Sequence, residues 1–133
     1  MKRLLLTLLL MPALAQAGSG SWSKKSAGRT VSTGGQIMMS QAINAPLSVP
    51  DGAKTSRISW RIQLLNPIPP GLEIKLCDER HCLPLDALSG QKNRSVPFSP
   101  RSRYRFIYSV NSAGTLSPAL TVVSNQLTLN YHW

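Results

Sequence analysis

The chain has 133 residues, 42% of them hydrophobic, and its 15 Lys and Arg against 5 Asp and Glu give a formal charge of +10. That length supports one hydrophobic core and not two, and no apolar run reaches the roughly 20 residues a bilayer-spanning helix requires. In an intracellular protein such a charge points first to nucleic acid, but the N-terminus redirects it.

Lys2 and Arg3 precede the apolar run Leu4 to Leu10, and Met11-Pro12-Ala13-Leu14 leads into the small-x-small pattern Ala15-Gln16-Ala17. These features predict a secretory signal peptide over residues 1–17, cleavage between Ala17 and Gly18, and a mature single domain over residues 18–133. No cysteine stands near the cleavage site, so a lipoprotein anchor is not expected. The mature chain keeps 13 Lys and Arg against 5 Asp and Glu, a formal +8. In an exported protein that charge suits anionic envelope surfaces or acidic proteins, or serves solubility alone.

From Gly18 to Ser56 the residues are mostly Ser, Gly, Thr and Ala, with apolar anchors at Trp22, Val31 and Ile37-Met38-Met39. Strands are expected at Ser21 to Ala27 and Gln36 to Ile43, a turn at Gly34-Gly35, and a Pro-containing loop from Asn44 to Lys54. Next, Ile58, Trp60, Ile62 and Leu64 alternate with Arg57, Ser59, Arg61 and Gln63, the pattern of a half-buried strand. The prolines of Asn66-Pro67-Ile68-Pro69-Pro70-Gly71 forbid helix and ladder alike, so the chain must turn or cross between sheets.

A hairpin follows. Setting Cys77 opposite Cys82 brings Leu76 to Leu83, Lys75 to Pro84, Ile74 to Leu85 and Glu73 to Asp86, so apolar residues meet apolar ones. A slip of one residue would carry the leucines into solvent. Asp78-Glu79-Arg80-His81 is then a four-residue loop, and Pro84 marks an edge strand. Both cysteines fall on the side of Glu73 and Lys75, which predicts a disulfide at the surface or edge in an oxidising compartment. Closing so short a loop contributes on the order of 2 kcal/mol and mainly pins register. Reduced buried thiols are one alternative, and a zinc site on Cys77, Cys82, His81 and His132 is another, although no second ligand pair stands at finger-like spacing.

Asp86 to Arg94 reads as a polar loop and Ser95 to Phe98 as a short strand. Tyr104, Phe106, Tyr108 and Val110 share one face of a strand from Arg103 to Val110. Asn111 to Gly114 is a turn, and Ala119 to Tyr131 gives two strand-like runs around Ser124-Asn125. No segment after the leader sustains a 3.6-residue period. The expected fold is all-β, a single-domain two-sheet β-sandwich of about 7–8 short strands with one hairpin disulfide, preferred to a partly closed barrel.

Catalytic patterns are missing. His81 and His132 occupy a loop and the C-terminal end, the serines form no G-x-S-x-G elbow, and Gly34-Gly35 lacks the Lys-Ser or Lys-Thr of a phosphate loop. Asp78, Glu79 and Asp86 cluster as a charged loop rather than a glycosidase pair. No catalytic residue, cofactor or metal is expected, and a binding role is left. Its candidate face comprises Arg57 and Arg61 on one strand and Arg101, Arg103 and Arg105 on or leading into another, one basic stripe if those strands are neighbours. The competing account is a solvated outer face that discourages edge pairing. Trp60 is expected in the core, whereas Trp22 either packs over a sheet end or forms a surface patch, and Trp133 either meets a partner or folds back.

The order of blocks resembles the flagellar protein FlhE family of Gram-negative bacteria: Gly20-Ser21-Trp22, then Trp60-Arg61-Ile62-Gln63-Leu64, Pro67, Pro70-Gly71-Leu72 and the C-x4-C hairpin. Arg105-Phe106-Ile107, Gly114 to Pro118, Ser124-Asn125 and Asn130-Tyr131 complete the series. The resemblance implies a periplasmic accessory of flagellar biogenesis, chaperone-like toward axial rod or hook proteins or acting at the export gate, where it limits proton leak. The alternative is an envelope-surface or glycan-binding β module that uses a basic face.

Overall fold

The computed structural model describes residues 17–93 and 97–133, so the expected leader falls almost wholly outside the described residues. Ten strands are present among them: β1 (Ser19–Ala27), β2 (Thr30–Thr33), β3 (Ile37–Met39), β4 (Ile43–Asn44), β5 (Lys54–Leu64), β6 (Leu72–Cys77), β7 (Cys82–Leu85), β8 (Ser89–Asn93), β9 (Arg103–Val110) and β10 (Thr115–His132). They form two antiparallel sheets. Sheet one runs β1-β10-β5-β8 with β2 also on β10, and sheet two runs β3-β9-β6-β7 with β4 also on β9.

The all-β two-sheet fold is as expected, but there are more strands than the 7–8 anticipated. The stretch read as one strand from Gln36 to Ile43 is two short pieces, β3 and β4, which pair with different parts of β9. Strand β2 lies in a Ser/Thr stretch with no alternation to betray it. Strand β8 occupies what reads as a polar loop, because all five of its residues are exposed and leave no periodic signal. Its presence follows from β5: Gly90 lies opposite Trp60, and a Cβ there would come within 2.8 Å of the indole. Ser95 and Val96 of the expected short strand lie outside the described residues, and Pro97 and Phe98 are not in a strand.

The C-terminal region is one 18-residue strand, not two. The break at Ser124-Asn125 is a bulge: β10 pairs Val122 with Leu64 and then Ser124 with Gln63, so Val123 is left over. One added residue disrupts the ladder locally without ending the strand. Along its other edge β10 takes β1 and β2 in succession, and the chain passes between them at Gly28, where a Cβ would collide with Val122.

The core lies between the sheets. From sheet one come Trp22, Ile58, Trp60, Ile62, Leu127, Leu129 and Tyr131, and from sheet two Met38, Ile43, Ile74, Leu76, Leu85, Tyr104, Phe106, Tyr108 and Val110. Alternation therefore places β5 and β9 as their sequences require. Between Leu64 and Leu72 the proline segment carries the chain from sheet one to sheet two.

Polar groups inside this core are paired. The Tyr108 hydroxyl on β9 donates to Asn125 Oδ1 on β10, a hydrogen bond that joins the two sheets. Three side chains from three strands hold the loop that closes one end of the sandwich. Thr55 Oγ1 donates to the Phe98 carbonyl at 2.6 Å, the Tyr104 hydroxyl to the Ser99 carbonyl, and Trp22 Nε1 to the Pro100 carbonyl at 3.1 Å. A loop covering an apolar end needs such donors, since a buried carbonyl without a partner is costly. Burial pushes the Tyr104 and Tyr108 phenols well above their ordinary value, with the Asp78 charge adding to the effect at Tyr104.

Candidate functional site

The hairpin at one edge of sheet two adopts the register expected of it, with Ile74 opposite Leu85, Lys75 opposite Pro84, Leu76 opposite Leu83 and Cys77 opposite Cys82. Cys77 and Cys82 are bonded, with Cα atoms 4.0 Å apart, and β7 is an edge strand. Asp78 organises the loop by accepting from the Arg80 and His81 amides at 2.8 and 2.6 Å. Cys82 is exposed, whereas Cys77 is buried despite lying on the outward side with Glu73 and Lys75. The zinc alternative fails on geometry. Both thiols are consumed by the disulfide, and His132 sits on sheet one, where its Nδ1 lies 2.7 Å from Ser56 Oγ.

The five arginines of the candidate face do not form one stripe. Arg57 and Arg61 are on β5 in sheet one, while Arg103 and Arg105 are on β9 in sheet two and Arg101 precedes it. The strands that carry them back opposite sides of the sandwich. Arg101 pairs with Asp51 in a neighbouring loop, and Arg103 Nε donates to Asn44 Oδ1 at 3.1 Å. Trp22 is withdrawn from the surface altogether, because its ring packs against Tyr104 at 6.0 Å and its N–H is held by Pro100. Trp60 is in the core, with Nε1 donating to the Ala87 carbonyl at 2.9 Å. Trp133 folds back: its backbone exchanges hydrogen bonds with Gly18 and its ring lies 5.9 Å from Tyr131, leaving it 44% exposed.

Two outer faces result. On sheet one the outward residues line up across four strands in three rows: Ser21-Asn130-Arg57-Asn93, Ser23-Thr128-Ser59-Gln91 and Lys25-Gln126-Arg61-Ser89. On sheet two the rows are Ile37-Ser109-Glu73, Met39-Ile107-Lys75-Pro84 and Arg105-Cys77-Cys82. The second face mixes apolar residues with both signs of charge, and Ile37 and Met39 are 69% and 49% exposed. A groove of about 330 Å³ opens at the edge of sheet one, between Pro67–Pro70 and Leu116–Leu120. There the ladder to β2 skips from Thr115 to Leu120.

Sequence reasoning missed Asn125, whose side chain is the buried acceptor between the sheets. An Asn in a short polar break, Ser124-Asn125-Gln126, between two apolar runs was the available signal, but it also fits a turn. The exposed pair Ile37 and Met39 was missed too, since a three-residue apolar cluster does not say which member faces inward until its pairing is known.

Comparison with known proteins agrees with this architecture. The family model described as flagellar protein FlhE matches residues 28–132. The flagellar protein FlhE of Escherichia coli (strain K12) is 37% identical over 132 residues, covering 97% of this chain and 98% of that one. The FlhE proteins of Salmonella typhimurium and Yersinia enterocolitica are 36% and 33% identical, covering 95% and 92% of this chain and 96% and 87% of their own lengths. A crystal structure of FlhE superposes with a TM-score of 0.77 at 32% identity, over 86% of this chain and 97% of that one. Among the described residues no helix is long and apolar enough to cross a membrane. With the same fold and near full-length similarity, the chain belongs to the FlhE family of flagellar proteins.

Proposed function

We propose that this protein acts in the periplasm as a chaperone-like accessory of flagellar biogenesis, binding axial rod or hook proteins or the periplasmic side of the export apparatus, and limiting proton leak through it. Family membership over nearly the whole chain carries this reading. The residue pattern before Gly18 supports export, with cleavage after Ala17, and a bonded Cys77–Cys82 pair suits an oxidising compartment. Binding proceeds without turnover.

A protein partner is best served by the outer face of sheet two. Ile37, Met39 and Ile107 form a small apolar patch there, with Arg105 and Glu73 on the flanking rows. Apolar anchors rimmed by charge are the usual make-up of a protein interface. The test has two arms. N-terminal sequencing of protein recovered from the periplasmic fraction should begin at Gly18. A deletion strain should leak protons and build misplaced filaments in the periplasm, and normal flagella with a normal proton leak would overturn the reading.

A further inference from the structure

The outer face of sheet one has a composition that solubility alone does not require. Its three four-strand rows contain Ser, Thr, Asn, Gln, Lys and Arg and nothing else, and the shorter rows at either end, Ser19-His132-Lys54 and Ala27-Ser124-Gln63, add one more Lys and no acidic side chain. All five acidic side chains of the domain are elsewhere: Asp51 in a loop, Glu73 on β6, Asp78 and Glu79 in the hairpin loop, and Asp86 beyond β7. Ordinary solvated faces intersperse both signs. Here Lys25, Arg57 and Arg61 have no carboxylate within ion-pair distance among the described residues.

The polar groups on this face are already oriented. Ser23 Oγ lies 2.8 Å from Thr128 Oγ1 and accepts from Gln126 Nε2 at 3.1 Å, while Ser124 Oγ donates to Gln63 Oε1 at 3.1 Å. Arg57 Nε donates to Asn93 Oδ1 at 2.9 Å, which steadies the guanidinium. Two recesses open on the surface. One of about 580 Å³ is lined by Ser21, Arg57, Asn93, Asn130 and Tyr131, and a smaller one of about 130 Å³ by Lys25, Arg61 and Gln126. Four residues apart on one strand, Arg57 and Arg61 are separated by about 13 Å.

We propose that this face binds a carboxylate-bearing polysaccharide. Hydroxyl and amide side chains both donate and accept, as sugar hydroxyls do, and a guanidinium grips a carboxylate through two parallel hydrogen bonds. The spaced cations select a polymer with spaced anions. A bilayer surface would call for protruding apolar or aromatic side chains, single-stranded nucleic acid for stacking aromatics, and a protein partner for central apolar anchors, none of which stands in these rows. Murein, whose glycan chains carry peptide carboxylates, is the polymer of this chemistry in the compartment proposed above, and that choice rests on the exported reading.

The experiment is co-sedimentation of the purified protein, residues 18–133, with insoluble murein sacculi across a salt series. Because it uses purified components, its failure leaves the flagellar reading standing. We expect saturable binding that weakens as salt rises, and a loss of about tenfold per arginine in the Arg57→Gln/Arg61→Gln variant, with an unchanged circular dichroism spectrum. The Lys75→Gln/Arg80→Gln variant removes the same charge from the hairpin side and should bind as the parent does. No binding, equal loss in both variants, or equal retention on uncharged dextran or on anionic lipid vesicles would overturn the proposal.

Discussion

The two outer faces of this sandwich share one core and one strand geometry, yet they present opposite chemistry. Sheet one shows rows of hydroxyls and amides with Lys25, Lys54, Arg57 and Arg61 and no acidic side chain, whereas sheet two shows Ile37, Met39 and Ile107 beside Glu73, Lys75, Arg105 and a disulfide. Their supports differ as well. Sheet one is built on two long strands, β5 and β10, but sheet two is finished by strands of two to four residues, one of them pinned by the cysteine pair. Burial constrains only the inward residue of each alternating pair. Outward residues are therefore free to carry function, and a difference between two such faces is informative in a way that a difference between two core layers is not.

The comparison is broken most severely from inside. Trp60→Ala removes the indole that β8 lies across, and should cost about 3–5 kcal/mol in urea unfolding and disrupt both faces together. Tyr108→Phe deletes the hydrogen bond that joins the sheets and leaves Asn125 Oδ1 buried without it, at about 1–3 kcal/mol. The same tyrosines set an alkaline limit. Their phenols are raised by burial, so the folded chain keeps protons that the unfolded chain releases. The resulting stabilisation is complete below about pH 10 and is lost as pH climbs beyond it. Unfolding midpoints measured from pH 8 to 12 should fall only above that point, and a midpoint that rises there would contradict the assignment.

Smaller changes sharpen the contrast. Cys77→Ala with Cys82→Ala should cost up to about 2 kcal/mol and raise amide exchange in β7 while β5 and β10 stay protected. Loss of all folded protein would show that the disulfide does more than hold register. Ile37→Asp with Met39→Asp should change stability by no more than about 1 kcal/mol, since both side chains are exposed. That variant should nevertheless fail to restore normal flagella to a deletion strain, and full complementation would remove sheet two's patch from the functional account.

Where alternation was strong, the structure was legible in the residues. Ile58-Trp60-Ile62 and Tyr104-Phe106-Tyr108-Val110 announce half-buried strands, and the hairpin's register follows from matching leucines across Cys77 and Cys82. Where every residue is exposed or the strand is very short, as in β8, β2 and β4, no period exists to read. Asn125 and Trp22 were hidden for a related reason: each is a polar-tipped residue whose partner lies far along the chain, Tyr108 at a separation of 17 and Pro100 at 78.

By itself the sequence determined that the chain is all-β, that its hairpin has one register and that it resembles the FlhE family, because periodicity and local pairing are properties of neighbouring residues. Which strands share a sheet was decided by tertiary structure alone. That pairing separated Arg57 and Arg61 from Arg103 and Arg105, and it aligned Ser21, Asn130, Arg57 and Asn93, drawn from four distant segments, into one row. A surface row in a sheet runs across strands rather than along them, so its composition exists only once the strands have found their neighbours.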